Sequence, residues 1–315
     1  MREILGVLVP FFMIVALGYG AARYRLIWQS GLNGLNAYLF NFALPVMMFR
    51  GVATRDLQEI GDVRLAFVYG LATTVLFLAA AAAAAHIFRL DRPNAVFHGL
   101  GAVQANNGFL ALPLMPALFG DAAIAPLALT LLADIVVLYP LCLVLADMAT
   151  RRPHVRLSPF ASVARTFYSN PFIPALVLGF VFAVFQLRLP GPAQAAVDLL
   201  AAGAAPAALF ALGASLSIYR ERTQRTAQVA LMNAVKLAVM PILVWALGTY
   251  VIPLSPFHLK VGVVVAALPT GVNLYLFSGR YVRDVGVFST AILSSTVISV
   301  ASLAFVVWLF ARSDA

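Results

Sequence analysis

The sequence predicts an all-α integral membrane protein: ten transmembrane helices arranged as two inverted five-helix repeats, with the fourth and ninth helices broken. Three observations carry this prediction. Of 315 residues, 63% are hydrophobic and 10% charged, where a soluble domain averages about 45–50% apolar and about 25% charged. Ten apolar runs approach the roughly 20 residues that a spanning helix needs. The chain also repeats itself. Pro10, Phe11, Leu17, Gly18 and Tyr19 recur as Pro171, Phe172, Leu178, Gly179 and Phe180, and Pro45, Phe49 and Ala53 as Pro206, Phe210 and Ala214, all at an offset of 161. Further on, Ala111-Leu112-Pro113 recurs as Ala267-Leu268-Pro269, the offset now 156. Two weakly similar membrane halves are a transporter signal.

The ten runs cover roughly residues 4–22, 32–53, 63–88, 94–119, 121–148, 169–187, 194–218, 227–252, 259–280 and 284–311. They divide the chain into a first five-helix repeat at 1–149, a linker at 150–167 and a second repeat at 168–315. Arg2 and Glu3 cancel before the first run, and nine further runs follow it. The first run therefore reads as a retained helix rather than a cleaved signal peptide.

Orientation follows from the basic residues. Connections after odd-numbered spans hold thirteen arginines: Arg23, Arg25, Arg89, Arg92, Arg151, Arg152, Arg156, Arg165, Arg220, Arg222, Arg225, Arg280 and Arg283. The opposite side holds seven basic residues: Arg2, Arg50, Arg55, Arg64, Arg188, Lys260 and Arg312. The positive-inside bias puts the linker in the cytoplasm and both termini on the outer, periplasmic side of an inner membrane. The net charge of +9 is thereby a topology signal and not a nucleic-acid footprint. Because five spans per repeat is odd, the second copy enters the membrane inverted, and the site in such folds lies near the midplane where helices of both halves break.

The fourth run reads AVQANNGFLALPLMPALFG, with Asn106, Asn107 and Gly108 near its middle and Pro113 beyond. The ninth reads VVVAALPTGVNLYLFSG, with Pro269, Thr270, Gly271 and Asn273. Proline removes a backbone donor, and glycine tolerates non-helical backbone. Half-helix N-termini at such breaks offer N–H groups and a positive dipole end to an anion. The plainer reading is that proline and glycine kink membrane helices and do no more. Two ionisable residues lie deep in the apolar runs. Lys236 is eleven residues past Arg225, about 16 Å along a helix, too far for easy snorkelling, and a charge at that depth marks a functional position. Asp134 is placed similarly in the fifth run. It could pair with Lys236, bind a coupling cation or carry a proton. Asp198 lies nearer a span end and reads equally well as interfacial.

The seven hydroxylated residues of the tenth run, from Ser289 to Ser302, read as helix-packing glue. The single cysteine, Cys142, reads as a small core residue. The four histidines lack metal spacing, and no phosphate-binding loop, nucleophile elbow, HExxH or CxxC occurs. No cofactor, metal, nucleic-acid partner or enzymatic activity is expected.

These residues resemble the auxin efflux carrier family, which includes the plant PIN-formed transporters and bacterial permeases assigned to malonate, malate or similar anions. VPFFMIVALGYG is similar to the family's first span and NAYLFNFALPVMMFRGVA to its second. Asn106 stands seven residues before Pro113, and ALPTGVNLYLFSGRY, ending at Tyr281, resembles the ninth-span motif. Lys236 stands five residues before Pro241, where plant members carry arginine. Asp134 falls where they carry glutamine, and the long plant loop is missing. The resemblance implies a fold related to bile-acid symporters and sodium/proton (NhaA-like) antiporters. Spans one, two, six and seven would form a dimerising scaffold, and the other six an elevator-like transport domain.

The resulting expectation is a secondary carrier of a small organic anion in the lipid bilayer, a mono- or dicarboxylate or an indole acid. Asn106, Asn107, Gly108, Pro113, Pro269, Thr270, Gly271, Asn273 and Lys236 would bind substrate, and Asp134 would be the candidate for coupling. Symport or antiport with Na⁺ or H⁺ through Asp134 is the alternative within transport. A non-transporting anion receptor is the alternative outside it.

Overall fold

The computed structural model describes residues 2–53, 62–150, 171–220, 223–279, 281–282 and 284–313. The expected linker, apart from Thr150, lies outside the described residues, as do Arg55, Arg222, Arg280 and Arg283. In chain order the helices are α1 (Arg2–Arg23), α2 (Gln29–Tyr38), α3 (Leu44–Ala53), α4 (Arg64–Ile87), α5 (Arg92–Val103), α6 (Leu112–Phe119), α7 (Ile124–Ala133), α8 (Tyr139–Thr150), α9 (Phe172–Val184), α10 (Gly191–Ile218), α11 (Thr226–Ala234), α12 (Met240–Ala246), α13 (Pro256–Ala266), α14 (Asn273–Ser278) and α15 (Gly286–Ser313).

Among the described residues, six continuous helical stretches are long and apolar enough to cross a membrane: Gly6–Arg23, Arg64–Ile87, Asp121–Thr150, Gly191–Ile218, Thr226–Val251 and Gly286–Arg312. They coincide with six of the ten apolar runs. The other four runs differ. The second is the α2–α3 stretch, the sixth is the shorter α9, and the fourth and ninth are split into two helices each.

Four of the joins between helices share one cause. Pro45, Pro113, Pro140 and Pro241 each stand second in an α-helix that directly follows a five-residue π-helical turn: Leu39–Ala43, Asn107–Ala111, Asp134–Leu138 and Val235–Val239. Proline has no N–H to give, and its ring crowds the carbonyl four residues back. Widening the preceding turn removes the crowding. The residue before each of three of these prolines bonds five residues back: Leu44 to Leu39, Tyr139 to Asp134 and Met240 to Val235. Such widened turns are frequent at functional positions, and here two of them carry Asp134 and Lys236.

The two split spans also start alike. Asp91 caps α5 by accepting from the Asn94 N–H, with Pro93 in the first turn. Ser255 caps α13 by accepting from the His258 N–H, with Pro256 as its first residue. A short polar N-cap followed by proline is a strong helix start.

The described chain forms two compact units. Unit 1 comprises Met1–Val63, Asn107–Leu129 and Phe167–Ile218, and unit 2 Arg64–Asn106, Thr130–Thr166 and Tyr219–Ala315. Each draws on both halves of the sequence. Unit 1 gathers the first, second, sixth and seventh runs together with α6 and the start of α7.

Inside unit 1, residues 161 apart in the sequence make a reciprocal pair of contacts. A Cβ on Gly18 would overlap the carbonyl of Phe210, and a Cβ on Gly179 would come within 3.1 Å of the carbonyl oxygen of Phe49. Gly179 is the repeat counterpart of Gly18, and Phe210 that of Phe49. Each half therefore supplies the glycine to one contact and the carbonyl to the other, so α1 closes on α10 as α9 closes on α3. Gly213 adds a third close approach, to the Val15 carbonyl. Asp198, left open above, pairs with Arg50 at 2.8 Å and accepts from Gln194 at 3.1 Å.

Candidate functional site in unit 2

The split in the fourth run falls at Gln104–Asn106, and that in the ninth at 267–272. Within unit 2 these two non-helical stretches run side by side. Ala105 and Thr270 form an antiparallel bridge, in which the Asn106 N–H donates to the Pro269 carbonyl (3.0 Å) and the Gly271 N–H donates to the Gln104 carbonyl (3.2 Å). Backbone freed from two helices is thus paired with itself, which makes irregular chain tolerable inside an apolar protein. Gly271 suits this close approach, since a Cβ there would come within 3.0 Å of the Ala105 carbonyl oxygen.

Side chains fix the bridge further. Thr270, fully buried, donates its hydroxyl to the Gly101 carbonyl (3.0 Å) and its N–H to Ser295 Oγ (3.2 Å). Both donors of Thr270 are taken up within the unit, so it acts first as a strut. In extended chain, residues two apart project to the same side, which places the Gln104 and Asn106 side chains on one face of the bridge and Ala105 on the other. Gln104 Nε2 donates to the Tyr139 hydroxyl (3.2 Å), and the Asn273 side chain also hydrogen-bonds that hydroxyl. Gln104 Oε1 and Asn106 Nδ2 are buried with no partner among the described residues. Buried amide groups are nearly always paired, which sets these two atoms apart within the unit.

Lys236 and Asp134 are both fully buried in unit 2. Lys236 Nζ donates to the carbonyl of Ala266, the last residue of α13. It thereby places positive charge where a helix leaves carbonyls unpaired. The Asp134 carboxylate lies within electrostatic range of both Lys236 and Tyr139.

Of the sequence candidates, Asn106, Pro269, Thr270, Gly271, Asn273, Lys236 and Asp134 belong to unit 2, and Asn107, Gly108 and Pro113 to unit 1. Pro269 stands in its break, accepting from Asn106. Pro113 does not mark a break: it lies inside helical chain, where the π turn gives way to α6. Gly108 makes room for Phe40, whose ring would come within 3.3 Å of a Cβ there and packs edge-on against Phe109. Sequence reasoning passed over Gln104, Tyr139 and Ser295. Gln104 could have been found as the amide two residues before Asn106 in the interrupted fourth run.

The sequence profile of the membrane transport protein family matches residues 3–307. The chain belongs to this family, that of the auxin efflux carriers. Relatives in the transport family include the "Putative malonate transporter" of Rhizobium meliloti (strain 1021), 27% identical over 322 aligned residues that cover 100% of this chain and 98% of the relative. The "Uncharacterized transporter YfdV" of Escherichia coli (strain K12) is 24% identical, covering 88% of each chain. Auxin efflux carrier component 8 of Arabidopsis thaliana is 21% identical, covering 92% and 93%. Family and apolar helices together make this a multi-pass membrane protein.

Proposed function

We propose that the chain is a secondary carrier of a small organic anion, a mono- or dicarboxylate such as malonate or malate or an auxin-like indole acid, in a bacterial inner membrane. The observation that carries this is the bridged pair of helix breaks in unit 2, with two buried amide groups left without partners. A carboxylate there accepts from Asn106 Nδ2 and from the N–H groups at the head of α14, where Val272 and Asn273 precede the first helical hydrogen bonds. Pro269, Thr270 and Gly271 hold that backbone in place, and Lys236 supplies a positive field from the end of α13. Asn107, Gly108 and Pro113 follow Asn106 in the chain and shape the start of α6. Gln104 Oε1 is an acceptor, and so favours a substrate that also carries a hydroxyl or a protonated carboxyl.

In this reading the chain has ten spans as two inverted repeats, both termini outside and homodimer contacts through the first, second, sixth and seventh spans. Unit 2 moves as the transport body in elevator fashion. The reciprocal Gly18–Phe210 and Gly179–Phe49 contacts support the repeat. A second reading, coupling to Na⁺ or H⁺, is favoured by one observation, the fully buried Asp134 within range of Lys236.

The test is uptake of radiolabelled malonate, malate and indole-3-acetate into proteoliposomes. Asn106→Ala should lower uptake of the transported acid about 10-fold or more, since a hydrogen bond to a charged group contributes about 1.5–3 kcal/mol. Wild-type uptake by a folded Asn106→Ala protein would remove Asn106 from the site.

A further inference from the structure

Outside the bridged breaks, unit 2 has a groove between the stretch from α11 through its π turn and α15. Its volume is about 570 Å³, within the range of small-molecule sites. Its walls are mostly apolar or small: Val229, Ala230, Ala234, Leu237 and Ala238 on one side, Ile298 on the other. Ala230, Ala234 and Ala238 are exposed along it, so in a bilayer it opens toward lipid.

One polar group does not fit that environment. Asn233 lines the groove and is 8% exposed. Its Nδ2 donates to Ser294 Oγ at 2.8 Å, while Ser294 Oγ donates to the Thr290 carbonyl at 2.6 Å. With its proton already used, Ser294 can only accept from Asn233, which fixes the amide orientation. Asn233 Oδ1 is therefore an acceptor, and it is buried without a partner among the described residues. Ser302 Oγ, farther along the same groove, is also buried and unpartnered. An apolar channel with a buried amide oxygen at Asn233, and the Ser302 hydroxyl farther along, calls for a ligand that is apolar along its length and donates a hydrogen bond to that oxygen.

We propose that this groove binds a single-chain amphiphile from the bilayer, an alkyl chain ending in a hydroxyl that donates to Asn233 Oδ1. Lys236 lies on the same π turn as the groove residues Leu237 and Ala238, with its own side chain directed to Ala266. An occupant therefore packs on the back of the turn that carries Lys236, which makes the groove a place from which a lipid can modulate the transport site.

The probe is hexadecanol carrying an alkyl diazirine, photolysed with the full-length protein in phosphatidylcholine nanodiscs, and adducts are mapped by peptide mass spectrometry. Adducts should concentrate on 226–238 and 290–302. They should be displaced by excess hexadecanol and much less by hexadecyl methyl ether, which has the same chain and no donor. Asn233→Leu should weaken labelling about fivefold, the effect of losing one neutral hydrogen bond. If that variant does not fold, Ala234→Phe, on the exposed wall, fills the groove without touching the Asn233–Ser294 bond and should abolish labelling. Adducts spread evenly over the apolar helices, or equal displacement by alcohol and ether, would overturn the proposal.

Discussion

Lys236 and Asp134 show how two charges come to lie inside an apolar helical protein. The Lys236 ammonium answers the carbonyl of Ala266, left over where α13 ends, and the Asp134 carboxylate balances it at range. Removing one member leaves the other uncompensated, whereas removing both together removes the problem. Lys236→Met should therefore lower the melting temperature of the purified protein markedly, because a buried acceptor without its donor costs about 1–3 kcal/mol and Asp134 loses its counter-charge. The double variant Lys236→Met/Asp134→Asn should recover part of that loss. Additive losses, measured by thermal unfolding in detergent, would show that the two charges do not act on each other. The depth of Lys236 and Asp134, and the amides of the fourth and ninth runs, could be read from the sequence because polar residues stand out in apolar runs. The partners of these residues could not. Ala266 offers a main-chain carbonyl that no side-chain pattern announces, and Ser295 looked like one more hydroxyl in a run of seven.

At the scale of elements, proline placement and glycine contacts decide the shape of the helices. Gly18 and Gly20 lie two residues apart on α1 and make a clean comparison. A Cβ at position 18 overlaps the Phe210 carbonyl, and one at position 20 meets nothing within 4 Å. Gly18→Ala should destabilise the protein by about 1–3 kcal/mol, the range for overpacking a filled interior. Gly20→Ala should leave thermal stability unchanged. Equal melting temperatures for the two variants would mean that α1 and α10 are not held at this contact. Of the four prolines that follow π turns, the sequence reading placed only Pro113 beside a break. Proline disturbs the turn before it, and whether that turn widens or unwinds depends on what awaits the freed backbone. Beside Asn106 an extended partner at Pro269–Gly271 takes the hydrogen bonds, so the helix opens there. At Pro113 the chain simply widens by one residue and continues.

For the whole molecule, the arginine asymmetry makes a directional prediction. With Cys142 replaced by alanine, a cysteine at position 154 in the linker should react with a membrane-impermeant maleimide only when the cytoplasmic face is accessible. A cysteine appended after Ala315 should react from the outside. The reverse pattern would invert the orientation. The apolar composition and the ten runs made the membrane class legible from sequence, because every spanning segment must satisfy the same solvent. The division into two units was not legible as a linear boundary, since each unit interleaves pieces of both halves.

If the bridge at Ala105 and Thr270 holds the substrate as proposed, it bears on how the carrier would change its cargo. Its two strand-like hydrogen bonds are main chain to main chain, so they persist when side chains are exchanged. Gln104, Asn106 and Asn273 project from a frame whose own bonding does not depend on their side chains. A new cargo could be reached by swapping a few of these side chains while the crossing stays intact, and engineered selectivity should be sought at those three positions.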